Sequence, residues 1–296
     1  MYHDAVMLEA AINGLSVKPD GTYVDVTFGG GGHSRAILDR LDNGKLIAFD
    51  QDEDAIRNIP DDRRLLFLNH NFRFLKNLLK WHDSIPVDGI LADLGVSSHQ
   101  IDESSRGFST RFDGPLDMRM NRRAEKNAAE VVNNYAYEEL AEILYLYGEL
   151  KNAKKIADVI VRQRSESGIE TTGQLVELLR PFSGRGREMK FYAQVFQALR
   201  IEVNGELDAL KAMLEQSREV LKPGGRLVVI SYHSMEDRLV KNFIRSGNFS
   251  GNIEKDFFGN VQGPFKVVCK MQTASEEEIV KNKRSRSARL RVAEKI

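Results

Sequence analysis

Hydrophobic and polar positions alternate in blocks along the first hundred residues. Apolar runs near 22 to 28, 45 to 50, 65 to 69 and 88 to 94 are bounded by Gly, Asp and Asn and read as buried strands. The segments between them carry helical spacing, as in Ser34 to Leu41. Such alternation predicts a parallel sheet with helices on its faces, because parallel neighbours need a crossover to bring the chain back. The pattern then changes. Ser104 to Met120 is rich in Arg, Gly and polar residues, and Asn127 to about Leu221 is almost wholly helical, with no buried-strand run. Predicted helices cover Ala128 to Tyr135, Glu138 to Tyr147, Ala153 to Arg164 and, after the start signal Thr171-Thr172, Gln174 to Leu179. A long helical pattern follows from Phe191 to Leu221, with Gly205 marking a bend. The turn Leu221-Lys222-Pro223-Gly224-Gly225 then precedes an apolar strand, Arg226 to Ser231. A sheet interrupted after its fourth strand and resumed here implies an inserted helical domain. The expected division is 1–103 and 208–296 for the sheet domain, ending in a basic tail, and 104–207 for the insert.

The first strand runs into Gly29-Gly30-Gly31-Gly32-His33 where a helical pattern begins. Glycine lets backbone approach a ligand closely and take positive φ at little cost, so the loop reads as a nucleotide-cofactor turn. The second strand ends at Asp50, whose carboxylate suits two hydrogen bonds from ribose hydroxyls. The dinucleotide fingerprint G-x-G-x-x-G is not met, since Ser34 or Arg35 stands where its third glycine belongs. With Asp25 four positions before the first glycine, the pattern instead resembles the first motif of Rossmann-like S-adenosylmethionine-dependent methyltransferases. A nicotinamide-dependent oxidoreductase stays open on the loop and Asp50 alone.

Composition narrows the class. The chain has 296 residues, enough for one large or two modest domains, and no apolar run of the roughly 18 residues a membrane span needs. Met1 to Glu9 carries no basic region or cleavage signal, so a soluble, unprocessed cytoplasmic protein is expected, without membrane association. The single cysteine, Cys269, excludes an intrachain disulfide, and six dispersed histidines offer no ligand spacing, so no metal site is assigned and a metal contribution to RNA binding stays open. With 43 basic and 43 acidic side chains, any nucleic-acid binding must come from local patches.

Several segments are more specific: His3 and Val6 to Glu9, Thr27-Phe28-Gly29 with Gly31-Gly32-His33, Asp93-Leu94-Gly95-Val96-Ser97-Ser98, and Arg106-Gly107-Phe108-Ser109. They continue with Asp113 to Met120, Phe196 to Ile201, and Ser231-Tyr232-His233-Ser234 with Glu236-Asp237-Arg238. Together these resemble the bacterial 16S ribosomal RNA cytosine-N4 methyltransferases, the RsmH or MraW family, nearly end to end. The resemblance implies a Rossmann-like class I methyltransferase sheet with an inserted all-helical domain. It also implies S-adenosylmethionine as cofactor and methylation of the N4 amino group of one cytidine near the decoding centre (P site), in ribosome maturation and decoding fidelity. The partner would be 16S rRNA in the small subunit; whether the protein is a monomer or a homodimer is open.

By the same resemblance Gly31, Gly32, His33, Asp50, Phe72, Asp93 and Gln100 are cofactor contacts. Phe72 read alone is a core aromatic, and His33 a residue that bonds the helix start. The cytosine amino group is conjugated and weakly nucleophilic, so acceptors for its hydrogens would help in the transition state. Other amino-directed methyltransferases often carry Asp-Pro-Pro-Tyr after the fourth strand; this chain has Asp93-Leu94-Gly95-Val96. Asp93, Asp117 and His233 are therefore the catalytic candidates, with local roles open: Asp117 pairing with Arg119 or Arg122, His233 capping Glu236. Phosphate contacts are expected from Arg106, Arg111, Arg119, Lys190 and Arg200, and from the tail cluster Lys281, Lys283, Arg284, Arg286, Arg289 and Arg291. Phe108, Phe112 and Tyr232 are candidates for stacking on an exposed base, and the cytidine is expected to be turned out of its stack between the domains. One departure stands out: Gln194 occupies a position where most family members carry arginine, leaving Lys190 or Arg200 to compensate. A non-catalytic RNA-binding assembly factor on the same scaffold is the remaining alternative.

Overall fold

In a computed structural model, residues 5–253 and 263–296 are described; the opening His3 lies outside them. The chain forms two compact units, one of the residues up to Gly95 and from Leu207 onward, the other Val96–Glu206.

The first unit is a sheet flanked by helices. After α1 (Leu8–Leu15), the strands β1 (Thr22–Asp25), β2 (Lys45–Phe49), β3 (Leu65–Leu68) and β4 (Val87–Asp93) alternate with α2 (Gly32–Leu38) and α3 (Leu75–Trp81). Each strand falls on an apolar run that reads as a strand in the sequence. Their side chains are buried against both faces, as in Val24, Ile47 and Ile90, which is why the runs are nearly continuous rather than alternating. The chain returns to this unit through α10 (Glu206–Val220), followed by β5 (Leu221–Ser231). The Lys222–Gly225 turn sits inside β5: Val87 of β4 faces Leu221, and the next paired residue, Gly89, faces Arg226.

β1 to β5 are parallel, in the order β3-β2-β1-β4-β5. The order reverses between β1 and β4. In open sheets of this kind a crevice opens there, beyond the carboxyl ends of the strands.

The C-terminal basic segment is folded into the first unit: the chain continues through α11 (Ser234–Ser246), β6 (Phe265–Val267), β7 (Gln272–Thr273), α12 (Glu276–Lys281) and β8 (Arg289–Lys295), and Lys281, Lys283, Arg286 and Arg289 keep exposed side chains. β8 lies antiparallel between β5 and β6, with Leu290 and Val292 buried. Arg291 Nε and Nη2 donate to Asp237 Oδ1 and Oδ2 at 2.7 and 3.1 Å, and Arg289 Nη1 donates to Oδ2 at 3.1 Å. Burial raises the pKa of Asp237, but the two guanidiniums outweigh it and hold the carboxyl below its usual value. The stabilisation is therefore present above the ordinary aspartate range and lost as pH falls through the depressed value. Asp237→Ala is expected to cost about 2 kcal/mol, because it strands Arg291 while the more exposed Arg289 can rehydrate. A lower urea midpoint at pH 7, with the difference shrinking as pH falls below the ordinary aspartate range, is the check.

The second unit contains α4 (Ser98–Asp102), α5 (Ala128–Asn134), α6 (Tyr137–Leu146), α7 (Ala153–Glu166), α8 (Thr172–Leu179) and α9 (Glu188–Asn204). Its core gathers Val131, Leu140, Leu144, Ile156, Leu175, Val195 and Leu199. Thr171 caps α8 through its hydroxyl, which accepts from Gln174 N–H. The long pattern from Phe191 to Leu221 is two helices rather than one bent helix. Gly205 takes φ 57°, a left-handed conformation that closes α9 and that glycine adopts at little cost. Among the described residues no helix is long and apolar enough to cross a membrane.

Candidate active site

The carboxyl ends of β1, β2, β4 and β5 bring together groups far apart in sequence. Asp25 closes β1 and is 1% exposed. Its Oδ2 accepts from Ser34 Oγ at 2.7 Å and its Oδ1 from Thr27 N–H at 3.0 Å, tying the start of α2 to the strand. Burial pushes its pKa up, with His33, Ser34 and Thr27 opposing.

The glycine loop follows. Gly29 has φ 52° and Gly31 φ 75°. A Cβ on Gly31 would lie 2.9 Å from the Phe28 ring, and one on Gly32 2.8 Å from Ala5 Cβ, so both are required by packing. Gly29 differs, since its Cβ would meet nothing closer than Thr27 O at 3.9 Å. The loop carbonyls are held back: Asn58 Nδ2 donates to Gly29 O at 2.9 Å and Arg35 Nη1 to Gly30 O at 2.8 Å. Neither Asn58 nor Arg35 is marked in the sequence by anything but ordinary polarity.

Asp50 follows β2. Its Oδ2 accepts from Gly29 N–H at 2.7 Å and its Oδ1 from Asp52 N–H at 2.8 Å. These bonds orient the carboxylate and leave a further lone pair on each oxygen. Burial lifts its pKa to about 7 despite them, with Asp52 and Asp25 adding repulsion. Phe72 opens a short 3-10 turn after β3 and packs partly buried against the core that contains Leu68 and Leu75.

Asp93 ends β4 next to the crevice. Its N–H donates to Thr27 Oγ1 at 2.6 Å, and its Oδ1 accepts the Tyr232 hydroxyl at 2.7 Å. Oδ2 lies 3.8 Å from His33 Nδ1. Burial raises Asp93 to about 6; His33 and Tyr232 lower it, while Asp25 and Glu236 push it up. His33 is 5% exposed and donates from Nε2 to Val6 O at 3.1 Å, which leaves Nδ1 as the atom facing Asp93. Gly95, at φ 93°, would place a Cβ near only Tyr232 Cδ2, at 3.5 Å.

His233 lies one residue beyond Tyr232 and caps α11. Its Nδ1 accepts from Glu236 N–H at 3.4 Å, and its Nε2 is 3.0 Å from Glu236 Oε1. Glu236 Oε2 in turn accepts the N–H groups of Tyr232 and His233 at 2.9 and 3.3 Å. Nδ1 of His233 is thus engaged in the cap, while its Nε2, although close to Glu236 Oε1, is buried and makes no hydrogen bond.

The remaining candidates belong to the helical unit. Asp117 forms a forked pair with Arg119, Nε to Oδ1 at 2.9 Å and Nη2 to Oδ2 at 2.7 Å. Burial works upward on its carboxyl, but Arg119 prevails and holds it below the usual value. Gln100 is buried at the third position of α4, where its Oε1 accepts Ser97 N–H at 3.0 Å. Arg106 departs from the expected phosphate role. It is 1% exposed, its Nη2 donates to Arg119 O and Met120 O at 2.9 and 3.1 Å, and its guanidinium lies 5.9 Å from the centre of the Phe108 ring. Arg200 Nε pairs with Glu206 Oε1 at 2.8 Å. Arg111 and Lys190 present their side chains to solvent. Gln194 donates from Nε2 to Gly148 O at 2.9 Å, so its amide completes a turn rather than standing in for a cation.

The sheet edge offers mixed chemistry. A Cβ on Gly29 or Gly95 would meet nothing closer than 3.5 Å, and the strand ends place the buried Asp25 and the half-buried Asp50 and Asp93 there. Acids that burial and mutual repulsion hold partly protonated gain most from a cationic partner. A molecule carrying a ribose and a positive charge meets both conditions, and S-adenosylmethionine is one. Among the described residues no group of three His, Cys, Asp or Glu side chains is placed to hold a metal.

Comparison with known proteins agrees. The family model described as the MraW methylase family matches residues 1–296. Ribosomal RNA small subunit methyltransferase H of Bacteroides fragilis is 60% identical over 99% of this chain and 97% of its own length. Its namesakes from Parabacteroides distasonis and Flavobacterium johnsoniae are 58% and 56% identical, each over 100% of this chain and 98% of their own lengths. Matched from the first residue to the last, and alike to these relatives over nearly their whole lengths, the chain belongs to the MraW methylase family.

Proposed function

We propose that this methylase modifies the exocyclic N4 amino group of one cytidine in 16S ribosomal RNA, near the decoding centre of the small subunit, in the cytoplasm. Relatives named as ribosomal RNA small subunit methyltransferase H support the substrate class. The observation that carries the reaction is Asp93, a half-buried carboxylate at the switch point of the sheet, held by one oxygen and its backbone.

The methyl donor is S-adenosylmethionine; Gly31, Gly32, His33, Asp50 and Phe72 would hold it. When bound it supplies the methyl carbon on a sulfonium, whose S–C bond yields its electron pair to sulfur as the N–C bond forms. Asp50 and Asp93 stand at the ends of β2 and β4 with β1 between, so about 10 Å separates the two strand axes. They serve different reactants: Asp50 takes the ribose hydroxyls of the cofactor, and Asp93 Oδ2 accepts an amino hydrogen of the cytosine. As the new bond forms, the nitrogen loses conjugation and its hydrogens become more acidic, so this hydrogen bond strengthens toward the transition state. Asp93 Oδ2 then takes the proton. His233 serves as the cap of α11, and Asp117 fixes the loop that carries Arg119. Phosphate contacts fall to Arg111 and Lys190, which are exposed, and each should contribute to the salt dependence of RNA affinity.

The test is to incubate the protein with methyl-labelled S-adenosylmethionine and small subunits lacking the modification, then digest the RNA and identify the labelled nucleoside by mass spectrometry. Label on cytidine N4 is the expected result; label elsewhere, or none with cofactor binding intact, overturns the proposal.

Asp50→Ala is expected to weaken cofactor binding by about 1–3 kcal/mol, the range for losing a charged hydrogen-bond partner. In the unaltered protein, cofactor affinity should rise with pH through about 7 as Asp50 ionises, because the carboxylate is the better acceptor for the ribose hydroxyls and favours a positive ligand. Titration calorimetry between pH 5.5 and 8 reads both, and a flat profile would remove Asp50 from the cofactor site.

A further inference from the structure

Tyr232 is not a residue that either the glycine loop or a strand-end acid would single out. We propose that it is a positioning residue for Asp93, its hydroxyl holding Oδ1 so that Oδ2 is the oxygen presented to the amino group of the base. The inference rests on the reading of Asp93 as the amino-hydrogen acceptor.

A carboxylate on an open strand end can turn about its last bond, and its two oxygens are chemically equal. Here they differ. Oδ1 accepts the Tyr232 hydroxyl at 2.7 Å, within the range of a hydroxyl on an anion. Oδ2 has His33 Nδ1 at 3.8 Å and, among the described residues, no hydrogen-bond donor. The Asp93 backbone is fixed at the same time by Thr27 Oγ1. Tyr232 is itself well placed to impose this order. It follows the last residue of β5, its N–H donates to Glu236 Oε2 at 2.9 Å, and its ring packs partly buried against the core containing Leu91 and Ile230. On the other side the ring borders the space left by Gly95, so a bulkier residue at position 95 would press on the same phenol.

The hydroxyl also acts on charge. The groups facing Asp93 are Asp25 from β1, His33 from α2, Glu236 from α11 and Tyr232 beyond β5; Glu236 and Glu278 of α12 also act on Tyr232. Burial, Asp25 and Glu236 favour the neutral acid, while His33 and Tyr232 favour the carboxylate. Burial and the neighbouring acids keep the phenol un-ionised, so it remains a donor. Removing the hydroxyl should therefore raise the pH at which Asp93 becomes active, as well as free it to rotate.

The experiment measures kcat and KM from pH 5.5 to 9 on small subunits lacking the modification, for the unaltered protein, Tyr232→Phe and Asp93→Asn. For Tyr232→Phe the expected result has three parts: a fall in kcat of roughly tenfold at pH 7, an acid limb moved up by about one pH unit, and partial recovery by pH 9. KM for S-adenosylmethionine should not change. A uniform fall at every pH with the limb unmoved would make Tyr232 a packing residue and overturn the proposal, as would unchanged kcat. Asp93→Asn separates the two readings: if it retains full activity, the acceptor role of Asp93 fails whatever Tyr232 does. If Tyr232→Phe does not fold, 3-fluorotyrosine at position 232 keeps the shape and strengthens the donor. The acid limb should then move down, and an unmoved limb overturns the proposal.

Discussion

Asp93→Asn is expected to lower the single-turnover rate of methyl transfer by about 10²–10³, the usual loss when one preorganised transition-state group is removed. Asparagine keeps the shape, and its carbonyl can still accept the Tyr232 hydroxyl, so its NH2 takes the place of Oδ2. In the proposed reaction the amino group of the base then meets a donor where it needs an acceptor. The substitution should leave the fold intact. No described donor bonds Oδ2, and His33 Nδ1, 3.8 Å away, is not the nitrogen that donates to Val6 O. Stability points the same way. Asp93 is raised to about 6, so the stability linked to its protonated form is complete below the ordinary aspartate value and lost as pH rises through 6. At pH 8 the neutral amide should leave the variant as stable as the parent or more so, by an amount on the order of 1 kcal/mol. Slow turnover with an undiminished melting temperature at pH 8 is thus the expected signature. A parent rate that falls below pH 6 beside a flat, low rate in the variant would complete it. Equal rates at pH 8 would remove Asp93 from the chemistry.

The sheet and the glycine loop are legible in the sequence because they are local. Buried parallel strands need continuous apolar runs, and Lys45–Phe49 and Val87–Asp93 supply them. A tight loop needs glycine where φ is positive, and Gly29 and Gly31 are there. The strand-end positions of Asp50 and Asp93 follow from the same runs. What the sequence conceals is pairing between distant positions. Tyr232 and Asp93 are 139 residues apart, and only the placing of β5 beside β4 brings the phenol to the carboxylate. The charge of the C-terminal segment hides its fold for another reason. In Arg289–Lys295 the apolar residues Leu290 and Val292 alternate with arginines in the period of a strand, but the arginines dominate a reading by charge. Their shared partner, Asp237, lies on α11 and accepts hydrogen bonds from both Arg289 and Arg291. His233 shows the converse. A histidine at a strand end in the crevice suggests chemistry, while the helix that starts there needs a cap, and His233 with Glu236 forms it.

Arg106 is where a reading by charge and the packing disagree most, and the disagreement can be measured. A phosphate-binding arginine keeps its guanidinium in solvent; Arg106 is 1% exposed and is among the largest fully buried side chains in the chain. Its Nη2 satisfies two carbonyls, those of Arg119 and Met120, in a loop with few regular hydrogen bonds of its own. Met118 N–H in turn donates to the Arg106 carbonyl at 3.0 Å, so residue 106 anchors that loop from both its backbone and its side chain. Arg106→Ala would open a cavity and strip buried carbonyls of their donor, for an expected cost of about 3–5 kcal/mol. Arg106→Lys would retain the charge but not the planar fork, and should fall between the two. Urea denaturation of the full chain reads the stability. RNA binding at several salt concentrations reads the alternative. A phosphate contact at Arg106 would reduce the slope of log affinity against log salt by about 1 and leave stability nearly unchanged. The buried position implies the reverse: a large loss of stability and, under conditions where the variant remains folded, an unaltered slope. Arg111→Ala, from an exposed position a few residues along the same loop, should reduce the slope and leave the denaturation midpoint in place.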